Sequence, residues 1–429
     1  MEITPSKGLR GEIAAPPDKS ISHRAVMLGS IAKGKTIVNN FLMGGDCLST
    51  VDCFRELSVP IEITGGRVVV SGSGLHGLKP PRELLYTGNS GTTTRLLCGL
   101  LAPQKFSCVL DGDESVRKRP MSRVIAPLRA MGAKISGTDG DFTPITIEGT
   151  KLRGIEYELP VASAQLKSAL ILAGLYAEGK TTVIEPEPSR NHTELMINGF
   201  GGNVSMDTSR ITVSPAEELY GHEITVPGDI SSAAFFLVAA LIVPGSEILI
   251  RNVGLNETRT GVIDALKSMG ASIHIEQYGK GIEPAGDIAV KYSALHGTEI
   301  GGRLIPRLID ELPIIAVAAA FAEGTTVIRD AQELKVKESN RIDAMERELK
   351  RAGADAQATA DGLVVRGGRP VRGAAFETYG DHRIAMSMAV LALAAEGKSR
   401  IESHQCIDIS YPDFFKTLKK INMPGRTTR

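Results

Sequence analysis

Cysteine is sparse and lacks any pairing pattern: Cys47, Cys53, Cys98, Cys108 and Cys406 are five in number, with no C-x-x-C pair and no metal-ligand spacing. That argues against a disulfide framework or a zinc ribbon, and it leads us to expect reduced thiols in a cytoplasmic protein without a metal. Net charge is missing too, because forty-nine basic residues offset forty-nine acidic ones. No bulk field therefore exists to draw nucleic acid or an anionic membrane, and any strong field must be local. Long apolar runs are absent as well. The longest, 233–243 and 312–322, fall short of the roughly 20 residues needed to cross a bilayer and read as buried helices. The opening Met1-Glu-Ile-Thr-Pro-Ser-Lys carries neither a charged segment before an apolar one nor a cleavage site, so no export signal is expected.

What the chain does have is repetition. A short β-rich run recurs six times, at 34–38, 105–110, 179–184, 245–250, 324–328 and 397–401, five of the copies opening on glycine. The spacing is about 70 residues, so six units nearly fill the chain, each with several strands and two helices. An Ala/Leu-rich helical segment precedes each run, and second helices end near Met131-Gly132-Ala133, Phe200-Gly201-Gly202 and Met269-Gly270-Ala271. A chain of 429 residues exceeds what one hydrophobic core supports, so two domains of three repeats each are expected. The first segment, 3–13, precedes the first full unit and is free to pair with the far end of the chain. Ala15-Pro16-Pro17-Asp18 and Val226-Pro227-Gly228-Asp229 each place a breaker pair before a capping aspartate. Two such crossings make a two-strand hinge, and the cleft it would span is the default place for a site. The tail 423–429 is expected to fray.

Local rules are broken at several helix starts. Lys337 and Arg341 lie four apart in a segment, 335–342, that reads as the opening of a helix. Like charges on one face cost roughly 0.2–0.5 kcal/mol, and the helix dipole disfavours cations in the first turn. A solvated face with Glu338 as counter-ion would account for one violation, whereas the pair of them favours a bound anion. Arg117-Lys118-Arg119-Pro120 repeats the pattern, with proline suited to a first helical position. So do Lys19 and Arg24 in 18–24, the loop 88–95 with Gly91 and Arg95, and Arg383 in 380–383. The loop lacks G-K-[ST] and is not a Walker loop. Two starts are polar rather than basic, at Ser163-Ala164-Gln165 and Ser189-Arg190-Asn191, which suit hydroxylated ligands or simple caps. Asp310 and Glu338, among these cations, are the acid/base candidates, although Asp310 alone could be an N-cap.

The motifs Asp18-Lys-Ser-Ile-Ser-His-Arg24, Gly88-Asn-Ser-Gly-Thr92, Arg117-Lys-Arg-Pro120, Ser163-Ala-Gln165, Lys337-Glu-Ser-Asn-Arg341 and Gly380-Asp-His-Arg383, in this order across nearly the whole chain, resemble the 5-enolpyruvylshikimate-3-phosphate synthase family. The resemblance implies an α/β (α+β) fold of two similar globules, each an inside-out α/β barrel of three βαβαββ units. One globule would hold 1–18 with 227–429, and the other 19–226. It implies enolpyruvyl transfer from phosphoenolpyruvate to the 5-hydroxyl of shikimate 3-phosphate, with no cofactor and no metal, by a monomer. Residue by residue, it puts Lys19 on both ligands and Ser20, Arg24, Ser163 and Ser189 on shikimate 3-phosphate. Gln165 would lie over the ring and near the pyruvyl group, and Gly91, Arg119, Arg341 and Arg383 would line phosphoenolpyruvate. Lys337 would reach between the ligands, Asp310 would take the hydroxyl proton and Glu338 would handle the methylene proton. Gly91, where glyphosate-insensitive members often carry alanine, implies competitive inhibition by glyphosate. Ala164, Glu333, His192 and Ile409 depart from the common family pattern and point to its divergent second branch. UDP-N-acetylglucosamine enolpyruvyl transferase shares the fold and chemistry, but its Lys-Asn first motif and loop cysteine are missing here. A non-catalytic anion binder is the remaining alternative, against which intact Asp310 and Glu338 argue.

Overall fold

The recurring runs become strands at Lys33–Asn39, Ser107–Asp111, Thr181–Ile184, Glu247–Gly254, Thr325–Ile328 and Ser399–Ile401 in the computed structural model, which describes residues 1–279 and 281–422. The tail expected to fray, 423–429, lies outside the described residues. Each of the six strands is the hub of its own small sheet, with a parallel neighbour on one side and an antiparallel one on the other. One repeat reads Leu85–Tyr86, helix Gly91–Leu101, Ser107–Asp111, helix Ser122–Ala130, Lys134–Thr138 and Phe142–Glu148, which is the βαβαββ order.

The chain divides into two units, Met1–Pro16 with Gly228–Arg429, and Pro17–Pro227. Each unit borrows a strand to finish a sheet. In the second, Glu223–Thr225 lies parallel to Lys33–Asn39. In the first, Arg10–Ala14 runs parallel to Glu247–Gly254, and Glu2–Ile3 pairs antiparallel with Ser399–Ile401. The opening segment therefore does pair with the far end of the chain. Within each unit the two chain crossings are hydrogen-bonded neighbours, Asp18 N to Pro227 O at 2.8 Å in one and Asp229 N to Pro16 O at 2.7 Å in the other.

The first helix of each repeat is interior. Ile230–Ile242 is buried at every residue, and it packs with Leu312–Phe321 and His382–Ala394, both apolar nearly all round. Gly91–Leu101 and Ala164–Gly174 pack as closely in the other unit: a Cβ on Gly99 would stand 2.0 Å from the Ala169 carbonyl oxygen. The second helices, such as Arg341–Arg351, are amphipathic and cover this interior. Helices inside and sheets around them give the inside-out arrangement, with separate sheets in place of a closed strand barrel. Among the described residues no helix is long and apolar enough to cross a membrane.

Candidate active site

In the unit of Pro17–Pro227, the polar groups of interest cluster at the starts of three interior helices. Asp18 caps Lys19–Ile31 by accepting from Ile21 N at 2.9 Å, and Lys19 is the first helical residue, ion-paired with Asp46. Burial pushes the Asp46 carboxyl up, but the field and hydrogen bond of Lys19 outweigh it and hold the group below the usual carboxylate range. Arg24, one turn on, is buried and bonded within the protein: to Ser20 O at 3.0 Å, Thr193 Oγ1 at 2.6 Å and Ser168 Oγ at 2.9 Å.

The helix Gly91–Leu101 is capped by Ser90, which accepts from Thr93 N at 3.1 Å. Arg95 donates to Gln165 Oε1 at 2.7 Å, and Gln165 Nε2 donates to Thr92 Oγ1 at 3.0 Å. Arg119 donates to Asn89 Oδ1 at 3.1 Å and Ser115 Oγ at 2.9 Å. Burial, and next the repulsion of Arg119 and Arg123, push the Arg95 guanidinium down to about 10. Burial accounts for most of that shift, and the repulsion that adds to it reflects three arginines gathered at one helix start, a grouping that suits an anion. An added Cβ on Gly91 would lie 3.0 Å from Arg119 Nη1 and 3.1 Å from Arg95 Nη1. Ser163 caps Ala164–Gly174 through Leu166 N at 3.4 Å. Ser189 is buried, with its hydroxyl donating to Glu185.

In the other unit a single buried guanidinium organises the carboxylates. Arg341, 1% exposed, donates from Nε to Asp381 Oδ2 at 2.8 Å, from Nη1 to Asp310 Oδ1 at 3.2 Å and from Nη2 to Glu338 Oε2 at 2.5 Å. Lys337 Nζ stands 3.4 Å from the same Asp310 Oδ1. Arg383 Nη1 donates to the Asp310 carbonyl at 3.1 Å and lies 3.8 Å from Glu311 Oε1. Burial raises Glu338, yet the Arg341 charge wins and its pKa falls below the ordinary value. Asp381 is lowered in the same way, burial opposed by Arg341. His382 beside it is pushed down to about 4 by burial and then by Arg383.

Two helix starts differ from the sequence expectation. The helix begins at Arg341, capped by Asn340, and 332–336 is a short 3-10 turn that leaves Lys337 extended outside it. Lys337 and Arg341 thus do not share a helix face; they meet at Asp310 instead. Asn340 Oδ1 accepts from Asp343 N at 3.3 Å while its Nδ2 donates to Asp343 Oδ2 at 2.8 Å, a reciprocal cap that fixes the start at Arg341. Likewise Pro120 opens no helix. Arg117 ends the short helix Glu114–Arg117 and clasps Asp111, and the next helix starts at Ser122, so Arg117 to Arg119 are not three cations at one N-terminus. The N-cap position of Leu312–Phe321 is Glu311, not Asp310, and the Asp310 carboxylate meets Lys337 and Arg341.

Comparison with known proteins gives the family. The family model for EPSP synthase (3-phosphoshikimate 1-carboxyvinyltransferase) matches residues 3–418. The chain belongs to the EPSP synthase family. It is 54% identical over 418 residues to the 3-phosphoshikimate 1-carboxyvinyltransferase of Thermoanaerobacter sp. (strain X514), covering 97% of this chain and 99% of that one. It is 56% identical over 417 residues to the enzyme of that name from Geobacillus kaustophilus, covering 96% and 98%. The solved EPSP synthase of Acinetobacter baumannii superposes with a TM-score of 0.91 at 45% identity, over 98% of both chains. Against that family background, sequence reasoning missed Asp46, Arg95 as a partner of Gln165, and Asp381. Asp381 could have been found as the acidic cap next to Arg383, while Asp46, far from Lys19 in sequence, had no such signal.

Proposed function

We propose that the chain catalyses enolpyruvyl transfer from phosphoenolpyruvate to the 5-hydroxyl of shikimate 3-phosphate, releasing phosphate, as a cytoplasmic monomer. The observation that carries the reading is the pair Asp310 and Glu338 bonded to one buried Arg341, with Lys337 and Arg383 beside them, both more open to solvent than Arg341. Lys19, Ser20, Arg24, Ser163, Gln165 and Ser189 take shikimate 3-phosphate, and Lys19, Gly91, Arg119, Gln165, Arg341 and Arg383 take phosphoenolpyruvate. Fixed guanidinium forks suit a planar carboxylate or a phosphate and offset the repulsion between two multiply charged ligands.

The chemistry follows from these placements. Asp310 removes the proton of the 5-hydroxyl, whose oxygen bonds to C2 of phosphoenolpyruvate; the ligand anions offset the Arg341 charge that keeps Glu338 ionised, so that Glu338 takes up a proton from solvent and passes it to C3. The resulting tetrahedral carbon holds both oxygens. Breaking its bond to the phosphate oxygen expels phosphate, and loss of a C3 proton to Glu338 restores the double bond. Lys337 and Lys19 hold the charge that develops on the phosphate and bridging oxygens.

Phosphate release measured with phosphoenolpyruvate and either shikimate 3-phosphate or UDP-N-acetylglucosamine tests the reading. Release with shikimate 3-phosphate alone is expected; release with neither would make the chain an anion binder. A solution mass of twice 45.6 kDa would overturn the monomer. Glyphosate is expected to compete with phosphoenolpyruvate. In Gly91→Ala the new methyl must push back the ends of Arg119 and Arg95, so inhibition should weaken and the KM for phosphoenolpyruvate should rise. An unchanged inhibition constant would remove Gly91 from that subsite.

A further inference from the structure

Lys167 is a buried cation to which the reaction above gives no task. It is 1% exposed, with Nζ 2.7 Å from Glu185 Oε2 and 2.8 Å from Glu194 Oε1, and it donates to Ser189 O at 3.3 Å. Glu185 in turn accepts the Ser189 hydroxyl and, at 3.4 Å, the Ser189 N–H. Three elements meet at this ammonium. Lys167 sits in the first turn of Ala164–Gly174, its N–H bonded to Ser163 O at 3.0 Å; Glu185 follows the strand Thr181–Ile184; and Glu194 belongs to His192–Gly199. Ion pairs this deep are weak stabilisers, since well-packed apolar residues of similar volume generally do as well or better. What such a cluster does give is a fixed geometry.

We propose that Lys167 is a positioning residue for shikimate 3-phosphate: by clamping Glu185 and Glu194 it locks the 185–189 turn and sets the spacing of the Ser163 and Ser189 hydroxyls. Lys167 itself does not touch the ligand. The proposal rests on the assignment of those two serines to shikimate 3-phosphate made above. Neighbouring bonds extend the same frame, because Ser168 and Thr193, next in sequence to Lys167 and Glu194, bond each other at 2.6 Å and both accept from Arg24.

The test is titration calorimetry of shikimate 3-phosphate onto the full-length enzyme without phosphoenolpyruvate, together with the KM of each substrate and thermal melting. Lys167→Met alone strands two buried carboxylates and can fail to fold. The informative variants are the neutral triple Lys167→Met, Glu185→Gln, Glu194→Gln, and the single isosteric Glu185→Gln. Both are expected to melt cooperatively yet bind shikimate 3-phosphate on the order of 10- to 100-fold more weakly, with the KM for phosphoenolpyruvate hardly moved. Parent-like affinity in either folded variant overturns the positioning role and leaves a purely structural cluster. Ser189→Ala separates the two levels. If it too binds normally, the serine assignment itself is wrong; if it weakens binding while the cluster variants do not, only the role of Lys167 falls.

Discussion

Two basic residues four apart in sequence have opposite environments and should respond to mutation in opposite ways. Lys337 is 29% exposed and touches one carboxylate, whereas Arg341 is 1% exposed and touches three. Lys337→Ala removes a cation from a solvent-reached position and should cut kcat by orders of magnitude with little change in melting temperature. Arg341→Met leaves Asp381 buried without its cation, and breaking a buried pair costs about 3–5 kcal/mol. Chemical denaturation of the two variants checks this; equal stability would mean that Arg341 is not the electrostatic centre of its unit. The sequence marked both residues as members of an anion site. It did not distinguish them, because the difference arises from Asp381, forty residues away, and from a helix start that Asn340 decides.

Among the elements, the helix starts were largely legible. Asp18 and Asp229 are expected as caps, and Ser163 and Ser189 as caps or ligand contacts; Asp18, Asp229 and Ser163 each accept a backbone N–H in the first turn, whereas the Ser189 hydroxyl donates to Glu185. Where the expectation slipped, at 335–342 and at Pro120, long-range pairing or a stronger neighbouring cap competed with a plausible local signal. Helix packing was legible only as apolar composition. The approach of Gly91–Leu101 to Ala164–Gly174 depends on Gly99, whose missing side chain admits the Ala169 carbonyl. Gly99→Ala should force the two helices apart and, as an overpacking change, cost about 1–3 kcal/mol or more. Because Gly91 and Ser163 open these same helices, substrate affinity should fall along with stability. Melting and KM measured on one preparation test both, and an unperturbed variant would mean that the helices have room to spare.

For the molecule as a whole, acid should act before any carboxylate is protonated. Burial above all holds His23 down to about 3, among Lys19, Asp46, Arg24 and Asp18, and His382 down to about 4, among Arg383, Asp381, Glu338 and Arg341. Both folded values lie below the unfolded 6.5, so the unfolded chain takes up protons first as the pH drops. The stability is intact above pH 6.5 and is lost progressively toward pH 4 and below, His382 alone accounting for a loss of up to about 3 kcal/mol. The lowered Asp46, Glu338 and Asp381 extend the loss below pH 4 in the same direction. The melting temperature should be level between pH 7 and 8 and fall below 6.5, and His23→Gln should flatten that slope. A profile unchanged by the substitution would show that His23 is not held neutral.

By itself the sequence determined the sixfold repeat, the alternation of helix and strand, the family, and which residue types gather at the helix starts. Those follow from hydrophobic period, capping chemistry and motif order, all of which act over a few residues. Only the tertiary structure decided that Arg341 is the interior charge serving Asp310, Glu338 and Asp381, that Lys19 answers to Asp46, and that Lys167 ties Ser189 to Ser163. Electrostatic pairing acts through space in a medium of low polarity, so partners distant along the chain set the state of a group as strongly as its neighbours in sequence do.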